Sequence, residues 1–235
     1  MEKERVFVVL PAYNCAETLE QTINAIPHHL VDEIIMVDDN STDESIKVAQ
    51  SIGIKHIFKH DVNKGYGANQ KTCYKLALDA GADIIIMLHP DYQYDPSLIK
   101  DIITEFNNGA SVVFASRMQH GAEALRCGMP LYKYISNRFL TAFQNFLFNK
   151  NLSEYHTGYR AFRKSILQSI DLQSLSDDFI FDNQIILELF KQNVRINEIY
   201  CPARYLDNSS SINLLNSLKY GINVLFYSIK YKYFI

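Results

Sequence analysis

No stretch of this chain stays apolar for the roughly 18 residues that a helix needs to cross a bilayer. A protein built from membrane spans is thereby excluded, and a soluble or peripheral one is expected. Tryptophan is missing altogether, and glycine and proline are sparse, at 9 and 6. The four cysteines, Cys15, Cys73, Cys127 and Cys201, stand far apart with no CxxC pair, which argues against a disulfide framework and against a zinc site. Neither sign of charge dominates: 23 basic residues face 26 acidic ones, a formal net charge of −3, so the balance gives no case for nucleic acid binding. The opening MEKERVFVVL lacks a secretory pattern, and with the unpaired cysteines it predicts a reduced, cytoplasmic protein.

What the chain does contain is alternation. Apolar runs at residues 6–10, 33–37, 56–58, 84–88 and 111–115 read as strands, and helical spacing appears at 16–25, 42–51, 67–80, 96–107 and 131–149. A further helix is expected in FIFDNQIILELFKQ and a last strand in VRINEIYCPARY. Strands alternating with helices predict an α/β fold with a mainly parallel, twisted sheet and helices on both faces. With 235 residues and no dividing linker, a single domain is expected. Between Arg117 and Leu131, QHGAEALRCGMP reads as a mobile loop.

Chemistry-bearing residues gather where the apolar runs end. VFVVLPAYN, EIIMVDDNSTD and IIIMLHPDYQYDP each close in polar groups, so three strand ends could meet at one crevice, with Asp38, Asp39, Asp43 and Asp91 as candidates for one site. The plainer alternative for residues 38–43 is helix capping, with Ser41 or Thr42 as the cap and Asp43 and Glu44 favouring the positive end of the dipole. NKGYGANQ sets two glycines before a helix, where backbone amides can approach phosphate or base, but Lys64 precedes the glycines and a P-loop reading fails. Cys15 reads as a small, half-buried filler. Arg117 and Arg138 carry planar forks that suit phosphate oxygens, with surface solvation as the alternative for either.

PAYNCAETL, VDDNSTD, NKGYGANQ, HPDYQYDP, the pair Ser116 and Arg117, and HTGYRAF resemble, in sequence and order, the family 2 glycosyltransferases of the GT-A fold. Within that family they are most similar to dolichyl-phosphate mannosyltransferases and bacterial polyprenyl-phosphate sugar transferases. The resemblance implies a Rossmann-like GT-A domain over residues 1–210, and the pattern of the tail adds a C-terminal amphipathic helix at 211–235. It implies donor-nucleotide contacts at Pro11, Ala12, Tyr13, Asn14, Asp38, Asp39, Lys64 and Gly65. HPDYQ aligns with the family's metal-binding motif, which implies Mg²⁺ or Mn²⁺ held by Asp91 with His89 and Gln93. Here His89 replaces the motif's first carboxylate, so it is either a ligand or a ring hydrogen-bonded beside the site. The acceptor phosphate is implied at Arg117, Arg138, His156 and Arg160. SEYHTGYRAF departs from the family pattern with Glu154 for Asp and Thr157 for Ser. Asp91, Arg117 and, as a fallback base, Asp182 are the implied catalytic residues.

A sugar hydroxyl needs a base, whereas a phosphate monoester is already anionic near neutral pH. Arginines without an evident base motif in the second half therefore point to a phosphate acceptor, and with the resemblance this implies an inverting transfer from a nucleoside diphosphate sugar, UDP favoured over GDP, to a polyprenyl phosphate. The tail INLLNSLKYGINVLFYSIKYKYFI sets Leu214, Leu215, Leu218, Ile222, Leu225, Phe226 and Ile229 on one helical face edged by lysines, a composition suited to a membrane interface. Packing on the domain or sealing a homo-oligomer are the alternatives for that face. The expected location is peripheral, at the inner face of the membrane. Competing readings are transfer to a sugar hydroxyl of a surface glycan, with Asp182 as base, and a degenerate nucleotide-sugar binding protein.

Overall fold

Along strand β1 (Val6–Ala12) the side chains part to two sides. Val6, Val8, Leu10 and Ala12 enter one apolar core, while Phe7 and Val9 enter a second. Strand β4 (Ile84–Met87) divides the same way, which is what a sheet covered on both faces requires. The computed structural model describes residues 3–202, 204 and 214–234. The remaining strands are β2 (Glu33–Asp38), β3 (His56–Lys59), β5 (Val112–Ser116), β6 (Arg160–Arg163) and β7 (Asn197–Tyr200). Together they form one seven-stranded sheet in the order β3-β2-β1-β4-β6-β5-β7.

Helices α1 (Ala16–Asn24), α2 (Ser45–Ser51) and α4 (Ile99–Asn107) pack into the first core through Leu19, Ile23, Ala49, Ile102 and Phe106. Helices α3 (Tyr66–Asp79), α7 (Lys164–Gln168) and α8 (Phe181–Lys191) cover the opposite face through Cys73, Tyr74, Leu167, Ile185 and Leu189. The expected α/β domain with a mainly parallel sheet is therefore present, with one departure. Strand β6 is antiparallel to both neighbours, pairing Arg160 with Met87 on β4 and with Phe114 on β5. Its first residue thus lies level with the carboxyl ends of the parallel strands. The segment leading into β6 arrives at the edge where open α/β sheets bind ligands.

The loop read as mobile contains a short helix, α5 (Glu123–Arg126), and Met118, Ala124 and Met129 form a small buried cluster there. Helices α6 (Leu131–Phe148) and α9 (Leu214–Phe234) pack against each other around Leu140, Ile180 and Val224. The expected division between residues 210 and 211 lies outside the described residues, as do the side chains of Leu214 and Leu215. Among the described residues no helix is long and apolar enough to cross a membrane.

Beside that apolar contact the inner side of the pair carries buried polar groups. The buried face of α6 carries Asn137, Thr141 and Gln144. Gln144 and Asn183 of α8 exchange amide hydrogen bonds at 3.1 Å, and Gln144 also donates to Ser228 of α9 at 2.9 Å. The outward faces hold Leu131, Ile135, Phe139 and Phe146 on α6, and Leu218, Ile222, Phe226 and Ile229 on α9, with Phe146 89% exposed. An ordinary surface helix has the reverse arrangement.

Candidate active site

The donor half of the site is built by the ends of β1 and β2. Asp43 joins the starts of two helices: one carboxylate oxygen accepts from the Ala16 amide at 3.0 Å and the other from the Ser45 amide at 3.0 Å. The cap expected from Ser41 or Thr42 is thus supplied by Asp43, while the Ser41 hydroxyl accepts from the Asn14 amide at 2.8 Å. Asn14, in the left-handed region at φ 50°, accepts in turn from the Thr42 amide. Cys15 is buried and its thiol is pushed up to about 12 by burial, in keeping with a filler.

Asp39 is 3% exposed and already hydrogen-bonded. One oxygen accepts from the Lys64 amide at 2.9 Å and lies 2.7 Å from His60 Nδ1, and the other accepts from the Gly65 amide at 2.9 Å. The NKGYG segment is therefore clasped from both sides, since the amides of Gly67 and Ala68 donate to the Asp177 carbonyl. These four amides bind the protein itself, which corrects the expectation that they are offered to phosphate. Gly65 has φ +97°, and a Cβ on Gly67 would lie 2.5 Å from the Ser176 carbonyl oxygen, so both glycines answer to local packing. On the adjacent Asp38, Oδ1 accepts from the Ser41 amide, while Oδ2 is buried without a hydrogen-bond partner among the described residues. Pro11 and Ala12 are buried beside these groups, and Tyr13 is half exposed.

Beyond β4, Asp91 accepts from the Gln93 amide at 3.1 Å, with Tyr92 between them at φ 58°. His89 stacks on Tyr66, ring centroids 5.5 Å apart, and its Nε2 lies 3.1 Å from the Tyr66 hydroxyl. That hydroxyl donates to Asp182 Oδ2 at 2.7 Å. The phenol proton being committed to Asp182, His89 is the donor in its own contact, which places its proton on Nε2 and leaves Nδ1 as the lone-pair nitrogen. Burial pushes the imidazole below its ordinary range, against the pull of Asp91 and Asp182.

Asp182 is not positioned as an acceptor base. Its second oxygen accepts from Gln70 at 3.1 Å and lies 3.6 Å from the Arg160 guanidinium. Arg160 is itself fully buried, stacked over Phe114, and donates to the carbonyls of Thr157, Asp182 and Tyr155. With its Nε and both terminal nitrogens turned to main-chain oxygens, Arg160 holds the 155–160 segment against α8, which corrects its expected place as a phosphate ligand.

Arg117 lies over the ring of Tyr94, which neighbours His89. Glu154 grips it at the backbone amide and at the guanidinium, and Arg117 also donates to the His156 carbonyl at 3.0 Å. Burial works against the charge on Glu154, yet Arg117 outweighs it and holds the carboxyl below its ordinary range. Asn137 of α6 donates to the same carboxylate at 2.9 Å. Arg138, one residue on, is rotated by about 100° and exposed, so the structure does not bring it to this cluster. Lys133 comes instead: burial and the neighbouring Arg117 charge lower its ammonium pKa. The sequence held a signal for it, because Lys133, Asn137, Thr141 and Gln144 form a polar stripe at helical spacing. Tyr66, His60 and Gln70 carried no comparable signal.

The profile of Glycosyl transferase family 2 matches residues 7–171. The chain belongs to glycosyltransferase family 2. Other members of the family extend over most of its length. The UDP-N-acetylglucosamine–dolichyl-phosphate N-acetylglucosaminyltransferase of Methanococcus voltae is 26% identical over 226 residues, covering 89% of each chain. The dolichol-phosphate mannosyltransferase of Pyrococcus furiosus is 24% identical over 179 residues, covering 73% of this chain and 49% of that one. Among solved structures, glucosyl-3-phosphoglycerate synthase from Mycobacterium tuberculosis in complex with UDP matches 97% of this glycosyltransferase and 80% of its own chain, with a TM-score of 0.74 at 16% identity. At that identity the likeness concerns the fold alone.

Proposed function

We propose that this glycosyltransferase moves one sugar from a UDP sugar to a polyprenyl phosphate, with inversion at the anomeric carbon. The observation that carries the reading is the state of the two carboxylates in the acceptor half. Glu154 is consumed by Arg117 and Asn137, and Asp182 by Tyr66, Gln70 and Arg160. Neither is left to deprotonate a hydroxyl, and a phosphate acceptor needs no such base. Arg117 and Lys133 supply the positive charge that would hold the acceptor phosphate, with His156 beside them. The relative from Methanococcus voltae, named for a UDP sugar and a dolichyl phosphate, supports both halves of the reading.

Among the described residues no three His, Cys, Asp or Glu side chains form a ready metal cage. Asp91, with the Nδ1 of His89, fits an ion that takes most of its ligands from a diphosphate and water, as Mg²⁺ and Mn²⁺ do. When bound, such an ion would neutralise charge on the departing diphosphate. Asp38 and Asp39, with Pro11, Ala12, Tyr13, Asn14, Lys64 and Gly65, would form the nucleotide side, and Gln93 would steady the Asp91 turn. The apolar outer faces of α6 and α9 suit a membrane surface, where the polyprenyl chain resides, and a nucleotide-sugar donor suits the inner face.

The test is to incubate the protein with a short-chain polyprenyl phosphate, Mn²⁺ or Mg²⁺ and a panel of UDP and GDP sugars, then identify products by mass spectrometry. A glycosylated lipid phosphate from a UDP sugar is expected. Transfer only to sugar hydroxyls would overturn the reading.

A further inference from the structure

Helix α9 lies beyond the segment matched by the family profile, yet it reaches the acceptor half through Tyr220. The Tyr220 hydroxyl is 2.9 Å from His156 Nδ1, and the two rings meet edge to face at 5.5 Å. The backbone carbonyl of His156 accepts from Arg117, so the imidazole is fixed within the cation cluster. Its other nitrogen, Nε2, is buried and has no partner among the described residues. One end of the ring is anchored, and the other is a buried polar atom that none of the described residues satisfies.

Two tautomers are open to a neutral ring. With the proton on Nδ1, the phenol would be the acceptor, and Nε2 would be a buried lone pair that no phosphate oxygen could satisfy. With the proton on Nε2, the phenol donates inward and Nε2–H becomes a donor, the one kind of group a phosphate can use. Burial lowers the His156 imidazole to about 4 and raises the Tyr220 phenol well above its ordinary range, so the ring is neutral and the phenol keeps its proton at ordinary pH.

We propose that Tyr220, by donating to Nδ1, sets the Nε2–H tautomer of His156 and thereby makes it an uncharged donor to a phosphate oxygen of the acceptor. Tyr220 is then a positioning residue supplied by the C-terminal helix. The inference rests on the phosphate-acceptor reading above. An uncharged donor suits this place because it orients the phosphate while adding no further positive charge that would damp its nucleophilicity.

The experiment compares the intact chain with Tyr220→Phe, which keeps the ring contact and removes the hydroxyl. In ¹⁵N-histidine NMR, wild-type His156 should be protonated at Nε2, and the variant should show a mixed or reversed tautomer. In steady-state assays the KM for a short polyprenyl phosphate should rise about tenfold, corresponding to about 1.4 kcal/mol, while the donor KM and kcat stay within about twofold. His156→Gln, which keeps an N–H donor, should make a second change at Tyr220 inconsequential. An Nδ1–H tautomer in the wild type, an unchanged acceptor KM in the variant, or a rise confined to the donor KM would each overturn the inference. A wild type that ignores polyprenyl phosphate yet shows the Nε2–H tautomer would instead sink the acceptor reading, and with it the role given to His156.

Discussion

The Tyr66 hydroxyl donates to Asp182 at 2.7 Å while standing 3.1 Å from His89 Nε2, so a residue at the start of α3 links α8 to the loop after β4. Groups behind a metal ligand set its orientation and tautomer, and their loss typically costs about 10–100-fold in metal affinity. For Tyr66→Phe the Mn²⁺ concentration giving half-maximal transfer should rise by at least about tenfold, with the far-UV circular dichroism unchanged. An unchanged Mn²⁺ requirement would remove His89 from the metal site.

Arg160 makes a contrasting prediction. Replacing it with alanine leaves the Asp182 charge without its ion pair and three carbonyls without their donor, so stability should fall by about 3–5 kcal/mol. Urea unfolding at neutral pH measures this. A stable Arg160→Ala protein with a selectively raised acceptor KM would restore the phosphate role that the structure takes from it.

Glu154 should shape the acid limb of stability. Its folded carboxyl is held below the ordinary value of 4.5, so the unfolded chain takes up its proton first as pH falls. The contribution is fully present above that value and is lost as pH drops below it, through the depressed folded value. Glu154→Gln should therefore be less stable than the wild type at pH 7, with the gap narrowing below pH 4.5. Parallel stability–pH curves for the two proteins would refute this.

The outward apolar row of α9 should govern lipid attachment while leaving the fold alone. Ile222 and Phe226 are 58% and 59% exposed, so changing both to glutamine should alter stability by no more than about 0.5 kcal/mol each. Burial of such side chains in a bilayer is worth about 1.5–3 kcal/mol apiece. Co-sedimentation with phospholipid vesicles should accordingly fall at least about tenfold. Equal binding by variant and wild type would assign the row to another task.

Strands β1, β2, β4 and β5 were legible because each is an apolar run, and polar groups follow β1, β2 and β4 at the carboxyl edge of the sheet. Strand β6 was not legible. RAFR is short and bounded by arginines, and its antiparallel place between β4 and β5 depends on partners dozens of residues away. Arg160 shows the same limit at the level of chemistry. Its charge suggested a ligand, but three carbonyl acceptors and the ring of Phe114 decide its role, and these come together only in the folded chain. In α6 the helical spacing was legible, while the inward bonds of Asn137 and Gln144 were not, because Glu154 and Asn183 meet them there only in the folded chain.

The outward apolar rows of α6 and α9 have a bearing on how the purified protein behaves. Two adjacent rows of large apolar side chains, reaching 89% exposure at Phe146, have no aqueous counterpart of comparable favour, so in plain buffer the rows of separate molecules will seek each other. Light scattering in buffer should then report concentration-dependent clusters that a mild detergent disperses, and an assembly measured without amphiphile would reflect this sticky face rather than a native arrangement of subunits.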